Sequence, residues 1–291
     1  MTHARVDTID PRTHGARADF TIDQNFEAYT AEEHATWRTL YEHQAGLLKE
    51  RACAEFLAGL SALDLRGEGV PHFERLSDAL ERLTGWRIVA TPCLVPDAVF
   101  FEHLANRRFP AGNFIRRADQ LDYIQEPDVF HDVFGHVPML ADPVFADYMQ
   151  AYGQGGLRSQ GFDSLANLAA LYWYTVEFGL ISTSAGLRIY GAGIVSSPSE
   201  TLFALHSPAP HRLHFDLERV MRTTYRIDDF QQTYFVIDSF ADLFDATLKD
   251  FAPIYQRLAG ARLVPPDALL AQDHVHWRGD QSHAHAHALS R

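Results

Sequence analysis

The sequence predicts a mainly α-helical domain with a few short β-strands, and three observations carry that prediction. Apolar residues recur at helical spacing over most of the chain, capping patterns open several of those stretches, and alternating apolar runs are short and few. The 291 residues are 46% hydrophobic and 12% aromatic, which supplies a sizeable core and rules out disorder as the main state. A net charge of −13 argues against a nucleic-acid or anionic-membrane surface, where clustered Lys and Arg would be needed. Cys53 and Cys93 are too few for a disulfide framework, which points to a reducing cytoplasm. No apolar run reaches the roughly 18 residues of a membrane helix, and the N-terminal stretch has no secretory apolar core.

Taken in order, residues 1–25 are polar and unpatterned and read as a flexible lead-in. Thr30 and Glu33 form a capping-box pattern, behind which Trp37, Leu40, Tyr41, Leu47 and Leu48 keep helical spacing toward Leu60. A second helix opens near Pro71, carries Phe73, Leu76, Leu80 and Leu83 on one face, and stops at Gly85. Asp97 caps a short helix with Phe100, Phe101 and Leu104. Ser164 caps a strongly apolar helix running to about Ile181, and Asp238 precedes the stripe Phe240, Leu243, Phe244 and Leu248. Strands are expected at Trp86–Thr91, Leu187–Val195 and Thr233–Ile237. No linker, repeat or charge block interrupts residues 26–280, which read as one domain. Residues 281–291, with His283, His285 and His287, read as a flexible tail whose spacing would suit only a weak chelator.

Two features carry chemistry. The first is His131 and His136 in the run PDVFHDVFGHVP. On a straight α-helix, residues five apart are separated by about 140° and about 7.5 Å, so they do not share a face. Joint metal ligation therefore requires the helix to end between them, and Gly135 with Pro138 supplies an expected terminator. With 16 histidines in the chain, such a pair also arises by chance. The second is Glu177, the one charge between Leu165 and Ile181. A buried bare carboxylate is costly unless paired, protonated or metal-bound, and Arg188 is a candidate ion-pair partner. Together His131, His136 and Glu177 make the two-imidazole, one-carboxylate set of a facial Fe(II) site, although the same set can hold catalytic Zn²⁺. Tyr172, Trp173, Tyr174 and Phe178 make the surroundings aromatic, which suits oxidation of an apolar ring better than hydrolysis.

The runs QEPDVFHDVFGHVPML (Gln125–Leu140), YWYTVEFGL (Tyr172–Leu180) and IYGAGIVSS (Ile189–Ser197) resemble the pterin-dependent aromatic amino acid hydroxylases, in particular their bacterial branch. The resemblance covers roughly residues 25–280, and the regulatory domain and tetramerisation helix of animal members have no counterpart. It implies a single catalytic domain, expected to be a cytoplasmic monomer, that hydroxylates L-phenylalanine to L-tyrosine. The implied cofactors are non-haem Fe(II), tetrahydrobiopterin or a related tetrahydropterin, and O₂. His131, His136 and Glu177 would be the iron ligands. Arg116 would clamp the substrate carboxylate with its planar fork, and Trp173 and Ser196 would line the substrate site. Phe100, the backbone at Leu94, and Asp132 would meet the pterin, and Tyr172 would stand behind the metal ligands. The blander explanation is surface solvation for Arg116, turn capping beside Gly193 for Ser196, and core packing for Trp173, Phe100, Leu94 and Tyr172. Tryptophan 5-hydroxylation within the same family, or a zinc hydrolase using the same ligands, is the alternative activity.

Overall fold

Thr30 opens the first helix as its sequence dictates: the hydroxyl accepts from the Glu33 N–H at 3.2 Å and the Glu33 carboxylate takes the Thr30 N–H at 2.7 Å. This reciprocal cap starts α1 (Ala31–Leu48) in a computed structural model that describes residues 15–121, 126–159, 161–162 and 164–283. Helices dominate, as expected. The chain divides into two units, Met1–Gly46 with Ala54–Arg158, and Leu47–Cys53 with Ser159–Arg291.

In the first unit, the helix expected to run toward Leu60 is interrupted after α1, and α2 (Ala54–Ala62) follows as a separate element. Helix α3 (Phe73–Thr84) ends on Gly85 at φ 75°, whose N–H closes onto Leu80 and Glu81. Strand β1 (Arg87–Thr91), helix α4 (Asp97–Ala105) and strand β2 (Arg108–Gly112) form a parallel βαβ pair, from Arg87 opposite Arg108 to Thr91 opposite Gly112. Pro96 occupies the cap of α4, so Asp97 lies inside its first turn rather than at the cap. Within the expected lead-in, Phe20 is buried and the Ile22 N–H donates to the Ala90 carbonyl of β1. A turn over Phe130–His136 and helix α5 (Pro143–Ser159) complete the unit. Helix α2 passes so close to this turn's exit that a Cβ at Gly59 would lie 2.0 Å from the Pro138 carbonyl oxygen.

In the second unit, α6 (Leu165–Tyr172) passes into a wider turn over Trp173–Glu177 and then strand β3 (Leu180–Thr183), so the expected helix stops short of Ile181. Ser164 stands at the cap position of α6 without capping, since its buried hydroxyl has no partner. The expected strand Leu187–Val195 is also two things: β4 (Gly186–Ile189) and a helical turn α7 (Ala192–Val195). Helices α8 (Pro198–His206), α9 (Leu217–Met221), α10 (Phe240–Thr247) and α11 (Ala252–Leu258) surround strands β5 (His211–His214), β6 (Thr233–Ile237) and β7 (Val275–Trp277). The sheet order is β4-β3-β6-β5-β7, with fully buried β6 parallel to β3 and β5. Such a central strand reads as the continuous apolar run TYFVI. Residues 47–53 join this unit because the Cys53 N–H donates to the Ile189 carbonyl at 2.8 Å.

Glu200 on α8 is buried and accepts from the Tyr234 hydroxyl of β6. Burial pushes its carboxyl from 4.5 up to about 7, with Asp229 adding to the rise against the Tyr234 hydrogen bond. The folded chain thus holds this proton more tightly than the unfolded one. Its contribution to stability is full below about 4.5 and falls as pH rises to about 7, by on the order of 3 kcal/mol. Glu200→Gln should flatten this part of the stability profile, read by urea unfolding at several pH values. An unchanged slope in the variant would assign it to another group.

Candidate metal centre

The turn Phe130–His136 is a π-helix. Its i→i+5 hydrogen bonding places residues five apart in register, which an α-helix cannot do. The Nε2 atoms of His131 and His136 stand 3.3 Å apart, with the rings edge to face at 85°. This corrects the expected helix end: Gly135 lies inside the turn, and Val137, although followed by Pro138, keeps helical φ and ψ of −64° and −35°. A second π-helix, Trp173–Glu177, closes with the Phe178 N–H on the Trp173 carbonyl at 2.8 Å and ends on Glu177. One ligand atom from each of His131, His136 and Glu177 lies within 4.8 Å of the others, the single such group among the described residues. Gly191 lets its strand exit pass the back of Glu177, since a Cβ there would fall 2.4 Å from the Glu177 carbonyl oxygen. Arg188, the candidate ion-pair partner, directs Nη1 to the Leu187 carbonyl at 2.8 Å.

Fixed groups hold the histidine turn. The Gly112 N–H at the end of β2 donates to Asp132 Oδ2 at 2.7 Å, and the Phe109 ring of β2 packs 4.9 Å from that of His136. Asp128, fully buried and unmarked by any motif of its own, is the organiser. Its carboxylate takes Arg116 Nε and Nη2, each at 2.8 Å, the Arg116 backbone N–H at 2.9 Å and the His131 N–H at 3.0 Å. Burial works to raise the Asp128 carboxyl, but the Arg116 hydrogen bonds and charge, with the two backbone N–H groups, outweigh it and hold the group below the usual range. The only signal for Asp128 in the sequence is its place three residues before His131.

Arg116 is therefore no solvated surface arginine: it is buried, with one edge of its fork committed to Asp128 and Nη1 reaching the Leu121 carbonyl at 3.3 Å. A second carboxylate could reach it only along the Nη1–Nη2 edge. Trp173 is half-buried, stacked 4.5 Å from Tyr225 at 16° and 4.7 Å from Phe178. Its Nε1–H donates to Gln231, a second residue that the sequence alone does not mark. The buried Ser196 hydroxyl donates to the Ala192 carbonyl at 2.8 Å, the capping role that the blander explanation gave it. Phe100 is half-buried on α4, its ring 6.2 Å from Phe101. Leu94 is 60% exposed, so its side chain is not core. Tyr172 is half-buried at the end of α6. Of the tail histidines, His283 pairs with Asp229 at 2.9 Å, whereas His285 and His287 lie outside the described residues. Among the described residues, no helix is long and apolar enough to cross a membrane.

Comparison with known proteins finds extensive likeness. The family described as biopterin-dependent aromatic amino acid hydroxylase matches residues 20–264, running through both units. A phenylalanine-4-hydroxylase of Caulobacter vibrioides is 64% identical over 278 residues, 94% of this chain and 92% of that protein. The phenylalanine hydroxylase of Chromobacterium violaceum solved with iron and phenylalanine superposes with a TM-score of 0.86 at 53% identity, covering 92% of this chain and 100% of that one. The same enzyme solved with iron(III) and 7,8-dihydrobiopterin gives 0.87 at 55% identity, with 92% and 99% coverage.

Replacing Asp128 with Asn leaves the Arg116 charge buried and half-paired. The expected cost is about 3 kcal/mol of unfolding free energy by urea titration, together with weakened metal uptake because one amide oxygen replaces the two that hold Arg116 and the His131 backbone. Wild-type stability in this variant would remove Asp128 from its organising role.

Proposed function

The chain belongs to the biopterin-dependent aromatic amino acid hydroxylases, and from that premise we propose that it converts L-phenylalanine to L-tyrosine as an Fe(II)- and tetrahydropterin-dependent monooxygenase. The observation that carries this reading is the convergence of two imidazoles and one carboxylate within 4.8 Å. That donor set suits ferrous iron, because three protein ligands on one side leave positions open for other molecules. When bound, iron and tetrahydropterin together supply the activation of O₂ and the two electrons that its cleavage requires.

The residues of the chain do the rest. His131, His136 and Glu177 fix the metal, and the π-turns set their directions before it arrives. Arg116 holds the substrate carboxylate on its Nη1–Nη2 edge, and Asp128 prevents the guanidinium from turning away. Trp173 forms a wall for the substrate ring, so that the ring carbon opposite the side chain faces the metal; this positioning lowers the entropic part of the barrier. Ser196 has its proton committed to Ala192, so toward substrate it acts as an acceptor. Phe100, the backbone at Leu94, and Asp132 receive the pterin, and Tyr172 supports the ligands from behind. Phenylalanine, rather than tryptophan, follows from the activity named for relatives more than half identical, and family membership sets aside the zinc hydrolase. The reading carries a cytoplasmic monomer, with residues 26–280 as its catalytic domain and no nucleic-acid or membrane partner.

Anaerobic loading with iron, followed by O₂, tetrahydropterin and phenylalanine, should yield tyrosine. Zinc-loaded protein should yield none, and tryptophan in competition should turn over more slowly. Faster turnover of tryptophan, or activity with zinc alone, would overturn the assignment. Glu177→Gln removes the one anionic ligand and should weaken ferrous binding by about 100-fold while the circular dichroism spectrum stays unchanged. Unaltered iron occupancy in that variant would exclude Glu177 as a ligand.

A further inference from the structure

Trp173 is half-buried and opens the π-turn that follows α6. Its Nε1–H is held by a residue 58 positions away, through a 2.9 Å hydrogen bond to Gln231 Oε1. Gln231 is buried and has no freedom to turn. Its Nε2 donates to the Arg226 carbonyl at 3.0 Å and the Asp229 carbonyl at 3.4 Å. A flipped amide would set its NH₂ against the indole N–H and its oxygen against two carbonyls, so the network fixes the amide one way round. The Gln231 backbone N–H reaches Glu200 Oε1 at 3.4 Å, and that oxygen also accepts from the buried Tyr234 hydroxyl. A polar chain thus runs from α8 and β6, through Gln231, to the edge of one indole ring. A connected polar network of this kind favours a single geometry, and a break at its buried members Gln231, Glu200 or Tyr234 leaves a desolvated group unpaired.

We propose that Gln231 is a specificity-determining positioning residue: its side-chain oxygen sets the tilt of the Trp173 indole, and through it the shape of the substrate-ring pocket, while the Glu200–Tyr234 pair anchors Gln231 from behind. This rests on the assignment of Trp173 as a pocket wall. Tyr225 and Phe178 limit the indole to sliding or tilting between two rings, and the Gln231 hydrogen bond selects one position in that range. Without it the ring samples several tilts, and a flat single-ring substrate loses its closest wall.

The test replaces Gln231 with Met, which keeps length and volume but offers no strong acceptor. KM for phenylalanine should rise about tenfold. Saturating kcat should stay within about twofold, and the pterin KM and ferrous affinity should not move. The phenylalanine-to-tryptophan ratio of kcat/KM should fall. Gln231→Glu in its protonated form, which keeps an oxygen facing the indole and an O–H facing the Arg226 carbonyl, should recover most of the phenylalanine KM at acidic pH and answers the question if the Met variant does not fold. In the Trp173→Phe background, which lacks the N–H, Gln231→Met should have no further effect on KM. An unchanged phenylalanine KM in Gln231→Met would overturn the proposal, and so would equal rises in both KM values accompanied by a lower melting temperature. If Trp173→Phe raises the phenylalanine KM and Gln231→Met does not, only this inference falls. If Trp173→Phe leaves that KM untouched, the pocket-wall assignment falls with it.

Discussion

A five-residue spacing between two imidazoles cannot be closed on a straight α-helix, and here a wider turn closes it. The π-helix over Phe130–His136 brings the two Nε2 atoms to 3.3 Å, a separation that mutual repulsion of lone pairs would resist unless a proton or a cation lay between them. Such turns bond less favourably than α-helix and survive where tertiary contacts over-determine them. Here those contacts are the Gly112–Asp132 hydrogen bond, the Phe109 ring and the Asp128 carboxylate, which together leave the turn no alternative winding.

The same logic ties the proposed metal turn to the proposed substrate arginine. Asp128 spends one oxygen on the His131 backbone and shares both with Arg116, so one carboxylate sets the origin of the ligand turn and the direction of the guanidinium. In the other unit, Glu177 closes a π-turn whose first residue is Trp173, four positions earlier. The proposed ligand and the proposed pocket wall therefore sit on one short turn of backbone. The cost of burying these charges is met by complete hydrogen bonding around Asp128, as buried ion pairs require.

How much of this the sequence disclosed depends on how local each cause is. The Thr30–Glu33 cap, the Gly85 stop and the buried strand Thr233–Ile237 are written in adjacent residues, and they were legible. The three clustered side chains stood out by residue type and by the isolation of Glu177 in an apolar run, and the motifs around them pointed to the family. The π-turns were not legible, because no residue prefers them: Gly135 and Pro138 looked like a helix stop, yet surrounding contacts hold the chain helical through Val137. Asp128 and Gln231 did not stand out because their meaning lies in partners at a distance, Arg116 at 12 positions and Trp173 at 58. Strands β2, β3 and β5 escaped for a related reason. RFPAG, LIST and HRLH have weak patterns of their own and become strands through the neighbours they pair with.

The central claim is that one ferrous ion is held jointly by His131, His136 and Glu177. Anomalous diffraction at the iron absorption edge, from crystals grown anaerobically with ferrous salt, tests it most directly. The account predicts a single strong peak within bonding distance of all three side chains. A peak touching only one of them, or iron bound at another place in the chain, would contradict it.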